Sequence, residues 1–112
     1  MWITNSGFAD IFVVFARIES DKYITAFILE KGMDGIVLGE EENKLGLHSS
    51  STRMLYLEDV KVPKENLLGG RGQGFYIAMN ALNAGRIKLT AAVLDQCRLI
   101  TTDAISYANE RK

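Results

Sequence analysis

Cysteine, proline, histidine and tryptophan each occur once in this sequence, and each scarcity removes a class of explanation. With Cys97 alone, neither an intramolecular disulfide nor a thiolate metal cluster can form; the usage suits a reducing compartment, and Cys97 reads as a small buried apolar residue. His48 has no second histidine or carboxylate at ligand spacing, so no metal site is expected. The 13 basic and 14 acidic residues are mixed along the chain and leave a formal net charge of −1, which offers no polyelectrolyte surface to nucleic acid or an anionic membrane. The longest apolar run, Ile11 to Ala16, is far short of the ~20 residues that cross a bilayer, and no charged and apolar signal segment opens the chain. A bacterial cytoplasmic or mitochondrial matrix protein is expected. What remains is a soluble composition, 47% hydrophobic and 24% charged over 112 residues, enough for an ordinary domain with a modest core.

The first part of the chain reads as strands and turns. Ile11 to Arg17 is rich in β-branched and aromatic residues, and Ile24 to Leu29 is a second run of strand length. The polar stretch Glu19-Ser20-Asp21-Lys22 between them is short enough to predict an antiparallel hairpin. Glycines at 32, 35, 39 and 46 then punctuate the chain and leave room only for short strands. Met54-Leu55-Tyr56-Leu57 predicts a further strand, continuing after Glu58-Asp59 into Val60-Lys61-Val62 and ending at Pro63, which cannot donate to a ladder. After the cluster Gly69-Gly70-Arg71-Gly72-Gln73-Gly74 the period changes. Apolar residues fall at Phe75, Ala78, Met79, Leu82, Leu89, Val93, Cys97, Ile100, Ala104, Ile105 and Ala108, spacings of three and four that predict a helix from about 73 to 111. Asn83, Gly85 and Thr101-Thr102 are its weak points, and a break near Gly85 into two helices is the alternative.

These patterns predict an α+β architecture: a small antiparallel β-barrel or sandwich over residues 1–68, followed by one long α-helix over 69–112. Such a rod cannot cover its apolar stripe against so small a β-domain, so other helices or a second copy of the chain are expected on it, making a homo-oligomer through the helix. A strand-like segment begins at Trp2 with no lead-in and the helical pattern reaches Lys112 with no stop signal. The chain therefore reads as a piece of a longer one.

A resemblance now covers essentially the whole chain. Trp2-Ile3-Thr4-Asn5-Ser6-Gly7 with Ala9-Asp10 is similar to a segment of the acyl-CoA dehydrogenase β-domain. Phe27 to Gly32, Lys44-Leu45-Gly46, Ser50 to Arg53, Leu57 to Gly69, Gly72 to Phe75, Leu82 to Arg86 and Tyr107 to Lys112 resemble the same family in order and spacing. The Ala-Asp-Ile-Phe strand and the Asn-Ala-Gly-Arg segment lean toward its very-long-chain branch. The resemblance implies a parent with an N-terminal helical domain, a middle β-domain and a C-terminal four-helix bundle, binding FAD and an acyl-CoA in a dimer or tetramer. It implies oxidation of the acyl-CoA to the trans-2-enoyl-CoA, hydride passing to FAD and electrons leaving to an electron-transfer flavoprotein. An acyl-CoA oxidase, or a non-catalytic acyl-CoA-binding scaffold on the same fold, are the alternatives.

Strand alternation projects Trp2 and Thr4 to one face, an apolar slab beside a hydroxyl. On residues alone Trp2 reads as core and Thr4 as a strand former. The resemblance turns them toward the flavin, with Trp2 packed against the isoalloxazine and Thr4, with backbone including Ile3, hydrogen-bonding the ring edge. It also places Asn83-Ala84-Gly85-Arg86 beside the acyl-CoA thioester, where Arg86 orients the region; a helix arginine is otherwise a solvated charge. In some branches the glutamate base directly precedes this arginine. Gly85 stands there, so the base is expected outside this chain, leaving the piece without dehydrogenase activity or bound FAD. Arg111 resembles the arginine that contacts the FAD pyrophosphate of a neighbouring subunit, an exposed charge at a helix end being the other reading. The glycine cluster 69–74 fits neither Gly-x-Gly-x-x-Gly nor a P-loop and reads as a flexible lead-in to the helix. Glu40-Glu41-Glu42 reads as a solvated turn.

Overall fold

The computed structural model describes residues 1–111. Strands β1 (Trp2–Thr4), β2 (Ile11–Ala16), β3 (Thr25–Glu30), β4 (Ile36–Glu41), β5 (Thr52–Leu57) and β6 (Leu67–Leu68) precede one long helix, α1 (Gly74–Glu110). A single 3-10 turn at Lys64–Asn66 leads into β6. The strands form two antiparallel three-stranded sheets, ordered β1-β5-β4 and β2-β3-β6. Neither sheet closes on itself among the described residues, so the architecture is the sandwich-like form of the expected α+β fold rather than a barrel.

The two apolar runs pair in full register, from Ile11 opposite Glu30 to Ala16 opposite Thr25. The connection between them is longer than the four polar residues suggest. The first strand starts at Ile11 as read but ends one residue early, at Ala16, and the second starts one residue late, at Thr25; the turn tightens inside the loop, where Asp21 N–H is donated to Ile18 O at 2.9 Å and Glu19 takes φ 47°. Val60-Lys61-Val62 is not a strand either. The chain leaves the ladder at Leu57 because Asp59 adopts φ 49°, which turns the backbone away before Pro63. In its place the short Leu67–Leu68 strand pairs with Ala26 and Phe27, a contact too brief to leave a periodic signal.

Residues Met1–Phe75 form one compact unit and the chain from Tyr76 onward another. In the first unit the buried apolar core is small: Phe12, Ala26 and Leu29. Beside it a cleft of about 410 Å³, lined by Met1, Ile3, Phe12, Val14, Leu55 and Leu57 among others, separates β1 and β5 from β2. The lead-in to α1 is fastened rather than loose. Gly72 N–H is donated to the hydroxyl of the fully buried Thr25 at 2.8 Å, Gly74 N–H to Ile24 O at 2.9 Å, and Arg71 holds Asp21 through two nitrogens at 2.6 and 2.9 Å. That guanidinium keeps the Asp21 carboxyl below the usual carboxylate range.

Helix α1 is unbroken over 37 residues, on the order of 55 Å at about 1.5 Å per residue. The weak points do not split it. Thr90, Thr101 and Thr102 satisfy their hydroxyls by donating to the carbonyls of Arg86, Cys97 and Arg98 at 2.8–3.0 Å, a local solution that keeps the helical path. Cys97 is exposed on this helix, not buried as its residue type suggests. No helix among the described residues is long and apolar enough to cross a membrane.

Candidate functional site

Strand β1 is three residues long and sits at the edge of its sheet, Trp2 opposite Met54, Ile3 opposite Arg53 and Thr4 opposite Thr52. Trp2 and Thr4 are exposed and Ile3 is half-buried, the alternation that a one-sided strand shows. So short a strand needs anchoring at its end, and the Asn5-Ser6-Gly7 segment supplies it. Asn5 turns the chain with φ 63° and donates its N–H to Ser51 O at 2.7 Å. Ser6 is fully buried; its hydroxyl donates to Ile3 O at 2.8 Å and accepts from Arg53 N–H at 3.2 Å, tying β1 to β5. Gly7 lies so close to Ser51 that an added Cβ would stand 2.4 Å from its Oγ, while Gly7 N–H is donated to that same oxygen at 3.2 Å.

Behind β1 lies a polar cluster that the sequence reading missed. Glu41 is not part of a solvated turn. It ends β4, and its carboxylate accepts Thr52 N–H at 2.6 Å, Ser51 Oγ–H at 2.8 Å and Arg53 Nε–H at 3.0 Å. The backbone donor of Thr52 comes first and the Ser51 hydroxyl second in holding its pKa down to about 2. Glu42 accepts the indole Nε1–H of Trp2 at 2.7 Å. Lys44 closes the loop that follows by donating to Ser50 O and to Thr52 Oγ1. The register shift between Leu38 and Glu41 re-aims these carboxylates, as bulges do, and three adjacent glutamates give no hint of it.

The remaining candidate residues lie on the second compact unit. Asn83, Ala84, Gly85 and Arg86 are exposed on α1, and Arg86 donates through its guanidinium to Asn83 Oδ1 at 3.2 Å. Arg86 falls within the apolar series Met79, Leu82, Leu89, Val93, Cys97, Ile100, its spacings of four and three putting it on the same face. Arg111 continues that face four residues after Tyr107, whose carbonyl accepts its N–H at 3.1 Å. Trp2, Ile3 and Thr4 are thus brought together on one strand, and Asn83 to Arg86 on one helical turn.

Comparison with known proteins gives these residues a family. The acyl-CoA dehydrogenase middle-domain model matches residues 1–60. A short-chain specific acyl-CoA dehydrogenase of Megasphaera elsdenii is 46% identical over 99% of this chain and 30% of its own length. The mitochondrial very long-chain specific acyl-CoA dehydrogenase of Macaca fascicularis is 41% identical over 99% of this chain and 18% of its own. Both branches are therefore represented, and identity does not favour the very-long-chain one. A crystal structure of a Bacillus anthracis acyl-CoA dehydrogenase complexed with FAD superposes with a TM-score of 0.81 at 48% identity, over 99% of this chain and 19% of that one. The chain spans less than a third of the length of these relatives. With more than half of its residues matched by the middle-domain model and this fold, the chain belongs to the acyl-CoA dehydrogenase family.

Proposed function

We propose that this chain supplies one wall of the flavin site and part of the substrate site of an enzyme that converts acyl-CoA thioesters to trans-2-enoyl-CoA. When bound, FAD supplies the hydride acceptor. The observation that carries the reading is the outward pair on β1: an indole face and a hydroxyl, both exposed, two residues apart on one strand. An indole slab is a stacking surface for a planar ring, and a hydroxyl beside it is a donor for charge that builds at the ring edge. These residues fit the cofactor. Trp2 would cover the ring and exclude water, while Thr4 and the backbone around Ile3 would hold its edge.

On α1 the support is electrostatic. A guanidinium within an apolar stripe is tolerable in water, but once that stripe is covered it needs an anion or a polar partner. Arg86 then orients the acyl thioester region together with Asn83, Ala84 and Gly85. No carboxylate stands at position 85, so the proton-abstracting base comes from elsewhere in the polypeptide. Arg111, on the same face, would hold the FAD pyrophosphate of a neighbouring subunit, and a second copy or the bundle helices would cover the stripe. The middle β-domain reading applies to residues 1–68 and the helical-domain reading to 69–112. Electrons leave to an electron-transfer flavoprotein.

The complete flavoprotein tests this. Anaerobic addition of acyl-CoA should bleach the flavin absorbance, and electron-transfer flavoprotein, rather than oxygen, should restore it. Thr4→Ala should slow the bleaching about ten- to a hundredfold, the loss of one hydrogen bond to a group that becomes charged. A flavin that no acyl-CoA reduces would reject the proposal.

A further inference from the structure

Trp2 is the sole tryptophan of the chain, and its side chain is unusually unsupported for so large a ring. The residue is 63% exposed on a three-residue edge strand. An indole on such a strand turns about two side-chain torsions, and packing that would lock them is sparse. The polar end of the ring is nonetheless held. Its Nε1–H is donated to Glu42 Oε1 at 2.7 Å, the short distance of a charge-assisted hydrogen bond.

The backbone of Glu42 is in turn fixed. The residue follows directly after β4, beyond the register shift between Leu38 and Glu41, and its backbone N–H is donated to Thr52 O at 2.9 Å. Thr52 is the residue opposite Thr4 in the β1–β5 ladder. The backbone from which that carboxylate reaches the indole is therefore tied to the same rung that carries the Thr4 hydroxyl. Two groups on one face of β1 share one rigid reference, and the glutamate provides the link.

We infer that Glu42 is a positioning residue that sets the plane of the Trp2 indole, so that its face stands as a fixed wall beside the Thr4 hydroxyl for the isoalloxazine of FAD. This rests on the reading that Trp2 and Thr4 face the flavin. Glu42 acts through Trp2 and touches no cofactor itself. The indole is held before the cofactor arrives, so binding does not have to order it.

The test has two parts. In the full 112-residue chain, isotope-labelled at the indole nitrogen, one Nε1–H resonance is expected, downfield and slow to exchange with water. Glu42→Ala should move it upfield and speed its exchange; Glu42→Gln, which keeps an oxygen acceptor, should hold most of the native position. An indole resonance indifferent to Glu42→Ala overturns the inference. In the complete flavoprotein, Glu42→Ala should weaken FAD binding about fivefold, the worth of one hydrogen bond, with Glu42→Gln recovering most of it and Trp2→Ala costing more than either. If Trp2→Ala weakens FAD binding while Glu42→Ala frees the indole without effect, the positioning role is wrong and the flavin-facing reading survives. If Trp2→Ala leaves FAD binding untouched, that reading fails and the inference falls with it.

Discussion

Glu41 gathers a backbone N–H, a hydroxyl and a guanidinium around one carboxylate, and every one of them favours the charged form. Its pKa is lowered from 4.5 to about 2. A carboxylate whose pKa falls on folding adds stability that is fully present above its unfolded value and is lost as pH drops through the folded one. For Glu41 the window runs from 4.5 down to about 2. Urea midpoints measured across that range should fall for the native chain, and Glu41→Gln should lower the neutral-pH midpoint while flattening the acid slope. An unchanged slope in the variant would mean that other carboxylates set it. This cluster was not legible in the sequence, because a run of three acids looks solvated and the register shift beside two of them, which reach β5 and Trp2, leaves no mark on residue spacing. The Trp2 and Thr4 alternation was legible, since it needs only the period of a strand. What that alternation could not convey is the part played by Asn5, Ser6 and Gly7, which anchor β1 through a left-handed turn, a buried hydroxyl and a close approach to Ser51.

Two glycines in α1 predict opposite outcomes for the same substitution. At Gly74 an added Cβ would stand 2.8 Å from Ile24 O and 2.9 Å from the Thr25 carbonyl carbon, both backbone atoms that cannot rotate aside. At Gly85 nothing lies within 4 Å of that position. Gly85→Ala should therefore stabilise the helix by about 0.5–1 kcal/mol, the usual gain in a helix interior. Gly74→Ala should destabilise the first compact unit by about 1–3 kcal/mol, the cost of overpacking. Circular dichroism during urea titration reads both, and a destabilised Gly85→Ala chain would mean that something packs over that turn. The helix itself was readable from its spacing of three and four residues, as was the β2–β3 hairpin from its two apolar runs. Less readable were the ends of elements. Asp59 leaves the ladder through a backbone conformation that its residue type permits without announcing, and β6 has only two residues with which to signal a strand.

At the scale of the whole molecule, the distribution of apolar surface decides how the chain behaves alone. Among the described residues the buried apolar ones number three, all in the first unit, whereas Leu82, Leu89, Val93, Ile100 and Tyr107 are each about half or more exposed along one stripe of α1, and Ile87, Leu94 and Ile105 are exposed beside it. Full burial of such side chains is worth about 1.5–3 kcal/mol each, so even a fraction recovered on association outweighs the entropy of joining two chains. Arg86 does not forbid this, because a long side chain can carry its guanidinium to the rim of a pairing helix. The chain is accordingly expected to self-associate. Light scattering on the size-exclusion peak should give a multiple of 12.4 kDa that falls on dilution. Replacing both Leu89 and Ile100 by lysine puts two charges into the stripe without touching any residue of the β-sheets, and should return the mass to that of one chain while leaving the strand signal intact. A native chain that remains a single 12.4 kDa species at tens of micromolar would overturn this expectation.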